Sequence, residues 1–241
     1  QLMRRIATGA EAYVADRHIA EGKRILYPTS YYHVQFNRVI DYILPISLKL
    51  RGARIIPVLC NGFHAVQCSV LPGVFATRFP RQCRELCNDP GHILWEKLLG
   101  YKPLRLTDYR EESDKSTAAG VVAGIDHDNY SRYNFMGFEV GAQAAEVVAN
   151  GNNLSKVLPG EPCASELQLH AKNAVEMLLA YERLIDEVQP DVCVGTLHDH
   201  YQWSSLYHTA RAAGVDYYSY AMLDKEGCVS IGKNVRNVCE V

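Results

Sequence analysis

The spacing of apolar residues along the chain changes several times between a strand-like and a helix-like pattern. The first changes fall within residues 24–59. Residues 24–27 form a short apolar and aromatic run that Pro28 ends, which is typical of a buried β-strand. From Val34 to Leu50 the apolar residues recur three and four positions apart, which predicts an amphipathic helix. Residues 54–59 are a second apolar run. A strand, a crossover helix and a second strand predict a right-handed parallel unit.

The last third of the chain shows the same alternation. Residues 166–188 carry the longest helical pattern, and residues 191–195 follow as a strand. A helix over 203–213 and a strand over 215–220 come next. Short connections between alternating helices and strands predict an α/β fold with a doubly wound, mostly parallel, Rossmann-like sheet.

The middle of the chain is less regular. Residues 60–91 break both periods with Pro, Gly, Asn and Cys, so we expect a long cysteine-containing loop after the second strand. Beyond it the pattern predicts a short helix over 92–99 and an edge strand over 102–106. Residues 107–120 are predicted to be a mobile acidic linker, and residues 137–150 a helix.

Length and charge narrow the classes of protein. We expect the 241 residues to form a single Rossmann-like α/β domain over 1–241, with an N-terminal helical arm at 1–22. The net charge of −2 gives no global attraction to nucleic acid. A membrane span needs about 18 consecutive apolar residues, and the chain has no such run. The charged N-terminus also lacks the apolar centre of a signal peptide, so a cytoplasmic location is expected.

Four of the eight cysteines fall in the 60–91 loop with the spacing C-x7-C-x14-C-x3-C. Four thiolates on one loop can close a tetrahedral zinc site and order the loop around it. An iron–sulfur cluster is the harder alternative. The third interpretation is that they are small buried residues, as cysteines without a partner often are. The candidate metal ligands are Cys60, Cys68, Cys83 and Cys87.

Two histidine-containing loops follow predicted strands, where open parallel sheets bind ligands. His33 follows the first strand and suits a general base because its ordinary pKa is near neutral. His198, Asp199 and His200 follow a later strand and can supply a base with an orienting carboxylate, or two metal ligands. A polar loop whose histidines bind backbone groups is the alternative in both cases.

Residues beside these loops are the candidates for substrate binding. Aromatic side chains offer stacking faces and hydroxyl groups to a sugar, although tyrosines at strand positions more often serve packing. The candidates are Tyr31, Tyr32, Asn61, Tyr201 and Trp203. No G-x-G-x-x-G follows the first strand, and no G-K-[ST] motif is present, which disfavours a dinucleotide dehydrogenase and a P-loop kinase.

Three stretches carry a family resemblance: YPTSYYHVQFNRVIDYILPISLKLRGARIIPVLCNG, the CRELC segment with HILWEKLLGYKPLRLTDY, and AYERLIDEVQPDVCVGTLHDHYQWSSLYHTARAAGVDYYSY. Their order resembles the N-terminal, acceptor-side domain of GT-B-type glycosyltransferases of the capsular or surface polysaccharide kind. The resemblance implies transfer of a sugar from a nucleotide sugar to a polysaccharide or lipid-linked acceptor. It also implies a second domain that binds the donor. This chain would then be the N-terminal half of a two-domain enzyme.

Partners and alternative functions follow from these interpretations. We expect a carbohydrate or lipid-linked acceptor, no nucleic acid and no membrane span, with peripheral membrane association allowed. One alternative is a zinc- or iron–sulfur-stabilised binding domain that makes no bond. The other is a sugar-active hydrolase or epimerase that uses His198, Asp199 and His200.

Overall fold

A computed structural model describes most of the chain in six stretches and a few residues of the N-terminal arm. These are residues 5, 8–9, 12–13, 22–28, 35–63, 89–151, 161–195, 201–222 and 229–234. The predicted cysteine loop lies largely between the second and third stretches and so falls mostly outside the described residues. The described arm residues 5, 8–9 and 12–13 are helical.

The described strands form one six-stranded sheet in the order β3-β2-β1-β4-β5-β6. All neighbouring pairs from β3 to β5 are parallel, and β6 joins β5 antiparallel at one edge. Leu26 at the middle of β1 pairs with Ile56 on one side and Cys193 on the other. The strands are β1 (Arg24–Pro28), β2 (Arg54–Leu59), β3 (Leu104–Arg105), β4 (Val192–Gly195), β5 (Asp216–Met222) and β6 (Val229–Lys233).

Helices connect these strands. They are α1 (Gln35–Lys49), α2 (Asp89–His92), α3 (Glu112–Val121), α4 (Val140–Gly151), α5 (Glu161–Val188) and α6 (Tyr201–Ala212). A π-helical segment, Ile93–Leu98, continues α2, and short 3₁₀ helices cover Leu106–Tyr109 and Tyr130–Arg132. Gly52, at a φ of 88°, closes the connection from α1 to β2 in the left-handed conformation that glycine tolerates.

Each face of the sheet is covered by its own apolar cluster. Leu26, Cys193 and Tyr217 point to the face that α3, α4, α5 and α6 cover. The neighbouring strand residues Ile25 and Tyr27 point to the opposite face and pack with Trp95 of the π-helical segment and with α1. Because successive strand residues face opposite sides, strands that are buried on both faces read as continuous apolar runs. The predicted doubly wound, mostly parallel, Rossmann-like fold is confirmed.

Two parts of the fold differ from the sequence prediction. The supposed mobile linker at 107–120 is wrong, because these residues form a 3₁₀ turn and α3. Glu111 caps α3, and its own backbone N–H donates a reciprocal hydrogen bond to the Asp114 carboxylate at 2.9 Å. The acidic residues are thus cap residues at a helix N-terminus. The second difference is β6, an edge strand that the sequence analysis missed.

A close approach of backbone at Gly141 gives a prediction on stability. A methyl group at this position of α4 would collide with the backbone carbonyl of Tyr130, which cannot rotate away. We therefore expect Gly141→Ala to cost about 1–3 kcal/mol. Gly120→Ala, on α3 with no heavy atom within 4 Å, should instead raise stability by about 0.5–1 kcal/mol. Thermal denaturation of both variants checks this, and equal melting temperatures would contradict it.

Among the residues that the structure describes, no helix is long and apolar enough to cross a membrane. The division of the chain into domains stays a prediction.

Candidate functional site

The strand order reverses between β1 and β4. From β1 the chain moves outward through β2 and β3 on one side, and it then returns to β4, β5 and β6 on the other. Open α/β sheets bind ligands at the carboxyl ends of the strands that flank such a reversal. The segments that follow β1 and β4 flank the reversal, and the one after β1 lies outside the described residues. The described part of this edge is formed by the segments that follow β4 and β2, the neighbour of β1.

A chain of four hydrogen-bonding groups joins these two segments, and we call it the buried polar chain. The carbonyl of Phe63, just after β2, accepts a long 3.5 Å hydrogen bond from Nδ2 of Asn173. The hydroxyl of Tyr201, at the start of α6, donates to Oδ1 of Asn173 at 3.0 Å. Nδ1 of His170 lies 3.3 Å from the same hydroxyl oxygen. His170 and Asn173 both belong to α5, which bridges the two segments.

The direction of these hydrogen bonds follows from the chemistry of the groups. A carbonyl only accepts, so the amide of Asn173 must present Nδ2 to Phe63 and Oδ1 to Tyr201. The single hydroxyl proton of Tyr201 then goes to Asn173. His170 must therefore donate from Nδ1, which leaves Nε2 as the acceptor of a neutral ring.

Burial keeps this chain uncharged. Tyr201 is 0% exposed and Asn173 3% exposed. Removal from water lowers the pKa of His170 to about 4, and the charge of Glu166 opposes this only in part. The imidazole is thus neutral at pH 7, and burial disfavours its protonated form.

Local structure explains why the groups meet. His170 and Asn173 are three residues apart on α5, so their side chains share one face of the helix. After β2 the chain turns sharply through Asn61 and Gly62, which both have positive φ, and the N–H of Phe63 bonds back to the carbonyl of Cys60 at 3.0 Å. This turn brings the Phe63 carbonyl to α5.

A tyrosine pair lies on the other face of the sheet. The hydroxyl groups of Tyr27 on β1 and Tyr220 on β5 are 3.5 Å apart and buried. Trp95 packs edge-on against the Tyr27 ring with 5.7 Å between centroids. The two strands that flank β4 therefore present phenol groups on the face opposite to the buried polar chain.

Four of the residues predicted to be functional are described. Tyr201 was expected in a loop, but it is the first residue of α6 and belongs to the buried polar chain. The expectation was wrong because the helix begins two residues before the start of its apolar pattern. Trp203 is buried on the same helix. Asn61 donates from Nδ2 to Oγ1 of Thr107 at 2.9 Å, and Cys60 is half-buried.

The other predicted site residues lie outside the described part of the chain, so their roles stay predictions. They are Tyr31, Tyr32, His33, Cys68, Cys83, Cys87, His198, Asp199 and His200. The four-cysteine metal site also stays a prediction, because three of its ligands are in this set. Among the described residues, Asp126, His127 and Asp128 form a group whose ligand atoms lie within 4.8 Å of one another.

The sequence analysis missed His170 and Asn173. It recognised the long helix and its apolar stripe but passed over the polar residues that interrupt the buried side. A histidine and an asparagine among Leu167, Ala171 and Ala174 were the available signal, since buried polar side chains need partners.

Comparison with solved structures places this fold among known proteins. The chain is similar to a cyclodipeptide synthase (CDPS) from Fluoribacter dumoffii, with a TM-score of 0.50 and 9% sequence identity over 91% of this chain and 94% of that one. A CDPS from Staphylococcus haemolyticus matches with a TM-score of 0.45 and 8% identity over 86% and 89% of the two chains. No family model and no curated protein sequence matches the chain.

These findings overturn the assignment to the GT-B glycosyltransferases. The match to the first synthase spans nearly the whole of both chains, and that enzyme is not a glycosyltransferase. The stretches that suggested the resemblance carry strand–helix–strand packing and a Pro-Asp pair before a strand, and both features occur in many unrelated folds. The resemblance therefore reflected general α/β architecture.

The functions and partners that came with that assignment are corrected too. A sugar transferase and a polysaccharide or lipid-linked acceptor do not fit a neighbour that is a CDPS, and the exclusion of nucleic acid is withdrawn with them. Neither the metal-stabilised binding domain nor the sugar-active hydrolase or epimerase is supported.

Proposed function

We propose that this protein uses aminoacyl-tRNA to join two amino acids into a cyclic dipeptide. The observation that carries the proposal is the buried polar chain. It lies at the carboxyl edge of a sheet whose fold matches a cyclodipeptide synthase across 91% of this chain. Since aminoacyl-tRNA is made where proteins are synthesised, we also propose a cytoplasmic location.

The reaction requires two acyl transfers. In each, an amino nitrogen attacks the carbonyl carbon of an aminoacyl ester, a C–N bond forms, and the C–O bond to the tRNA ribose breaks. The nitrogen loses one proton and the leaving ribose oxygen gains one. No oxidant or reductant is needed, but a group must take the first proton and return one to the leaving oxygen.

The buried polar chain suits this proton transfer. Nε2 of His170 is the acceptor of a neutral ring and can pass the proton of the attacking amine on to the leaving ribose oxygen. Because burial disfavours a lasting positive charge on the ring, the two proton transfers would be nearly simultaneous. The hydroxyl of Tyr201, which donates to Asn173 at 3.0 Å, holds the ring in this tautomer. Because the groups are held before substrate arrives, little reorganisation is needed during the reaction.

The test is direct synthesis. Purified protein is incubated with total tRNA that carries the full set of proteinogenic amino acids, and mass spectrometry searches for cyclic dipeptides. The expected result is one product or a small group of related products. The same tRNA, deacylated by mild alkali and supplied with free amino acids, should give none. A failure to consume aminoacyl-tRNA faster than buffer alone would refute the proposal.

A further inference from the structure

Arg110 joins the far end of the buried polar chain to the rest of the fold. This residue lies between the 3₁₀ turn and α3, and its Nη2 atom is 3.3 Å from the Phe63 carbonyl oxygen. The same nitrogen is 3.1 Å from Oε2 of Glu176, whose side chain is 14% exposed. The guanidinium also stacks on the Phe63 ring, with its carbon 4.0 Å from the ring centroid. Two contacts thus join Arg110 to Phe63, and the ion pair with Glu176 holds the arginine in place.

The Phe63 carbonyl therefore receives two donors, Arg110 and Asn173. Glu176 lies one turn beyond Asn173 on α5, so the ion pair holds Arg110 beside the amide that shares its acceptor. From this arrangement we infer that Arg110 is a positioning residue, which sets the direction of the hydrogen bonds from Phe63 to His170. Its role in catalysis rests on the proposed function, but its effect on the hydrogen bonds does not.

The side-chain amide of Asn173 can be turned in two ways, which exchange its oxygen and nitrogen. With the Phe63 carbonyl held in place, Asn173 must present Nδ2 to it, because two oxygen acceptors would repel each other. If the carbonyl moves away, the Asn173 side chain can rotate by half a turn. Nδ2 then donates to Tyr201, and the Tyr201 hydroxyl donates to Nδ1 of His170. The proton of the imidazole must move to Nε2.

The rotated arrangement would remove the acceptor at Nε2 that the proposed reaction uses. The contacts of Arg110 therefore decide which nitrogen of His170 carries the proton. A residue that only stabilised the fold would have no such effect.

The chain contains a matched control for stability. Arg183, also on the α3 side of α5, binds both carboxylate oxygens of Asp114 and the backbone carbonyl of Tyr109 at 2.8 Å. Like Arg110, it ties α5 to the segment around α3. Its hydrogen bonds and ion pairs with Tyr109, Asp114 and Glu111 do not involve the buried polar chain. Arg183→Met should therefore destabilise the protein without altering the tautomer of His170.

The experiment measures that tautomer by long-range ¹H–¹⁵N correlation spectra of the full chain, with His170 assigned by the loss of its signals in His170→Gln. In the unmodified protein we expect a neutral ring protonated at Nδ1. In Arg110→Met the Nε2-protonated form should appear beside it, whereas Arg183→Met should keep the original spectrum. Arg110→Lys keeps the positive charge beside Glu176, so it should disturb folding less than Arg110→Met. The Nε2-protonated form should appear in this variant as well.

Turnover separates this inference from the proposed function. If the protein makes cyclic dipeptide, Arg110→Met should lower kcat roughly tenfold to a hundredfold with KM little changed. A tautomer shift in a protein that makes no dipeptide would sustain the inference and refute the proposed function. Unchanged His170 signals in both Arg110 variants would overturn the inference.

Discussion

Tyr201→Phe is expected to lower the rate of dipeptide formation by roughly 100-fold or more, which is the range for loss of a positioned proton-transfer group. The substitution removes one oxygen atom and keeps the ring that packs against His170 with 6.1 Å between centroids. Without the hydroxyl, Asn173 and His170 lose their shared partner. The imidazole is then no longer held in the tautomer that leaves Nε2 as an acceptor.

The stability of this variant should change much less than its activity. Asn173 is the buried group that loses its partner, which costs about 1–3 kcal/mol. A chain of this size loses about 2–4 °C of melting temperature per kcal/mol, so the loss is roughly 2–12 °C. Assays at about 20–25 °C therefore still use folded protein. The measurement is initial velocity with aminoacyl-tRNA in excess, beside a thermal melt.

Tyr207→Phe is the matched control on the same helix. The Tyr207 hydroxyl donates to the backbone carbonyl of Asn234 at 3.1 Å, beyond the end of β6. Its loss should lower the melting temperature as well, yet turnover should stay at the level of the unmodified protein. If both variants lose activity in proportion to their stability, Tyr201 has only a structural role.

Sequence patterns predicted the fold better than the site for a physical reason. Strands buried on both faces must be apolar throughout, and α5 must carry an apolar stripe. The burial of these elements is therefore visible in the sequence pattern. The short β3 was found because Pro103 limits it to an edge. The edge strand β6 left no such mark, since only one neighbour pairs with it and Ile231 on it is 60% exposed.

The candidate site depends on contacts between residues far apart in the chain. Phe63 and Asn173 are 110 positions apart, and Tyr201 is 28 positions beyond Asn173. No local period encodes such pairings. The histidine loops were predicted to be functional because their polar residues follow predicted strands. His170, in contrast, lies inside a helix whose apolar stripe is continuous without it. The useful signal was a polar residue on a buried helical face, which requires a partner elsewhere.

Asp114→Asn is expected to lower stability by about 2–3 kcal/mol, because it removes the charge from a buried carboxylate that accepts charge-assisted hydrogen bonds from Arg183. Asp114 is 1% exposed on α3, and Arg183 on α5 is 29% exposed. The carboxylate also accepts the backbone N–H of Glu111 at 2.9 Å, which closes the first turn of α3. Glu112→Gln on the same helix is the control. Its ion pair with Lys115 is exposed, so the melting temperature should not change.

The loss should depend on pH in a defined direction. Burial alone would raise the pKa of Asp114, but hydrogen bonds from Arg183 and Glu111, with the charges of Arg183 and Arg110, outweigh it and hold the pKa below the ordinary 3.8. A lowered folded-state pKa stabilises the protein fully above 3.8, and this stabilisation is lost as the pH falls through the folded-state value. The difference in melting temperature between the unmodified protein and Asp114→Asn should therefore be constant near neutral pH and shrink below 3.8. Thermal melts across that range measure it. A difference that stayed constant in acid would mean that Asp114 stabilises the fold without its charge.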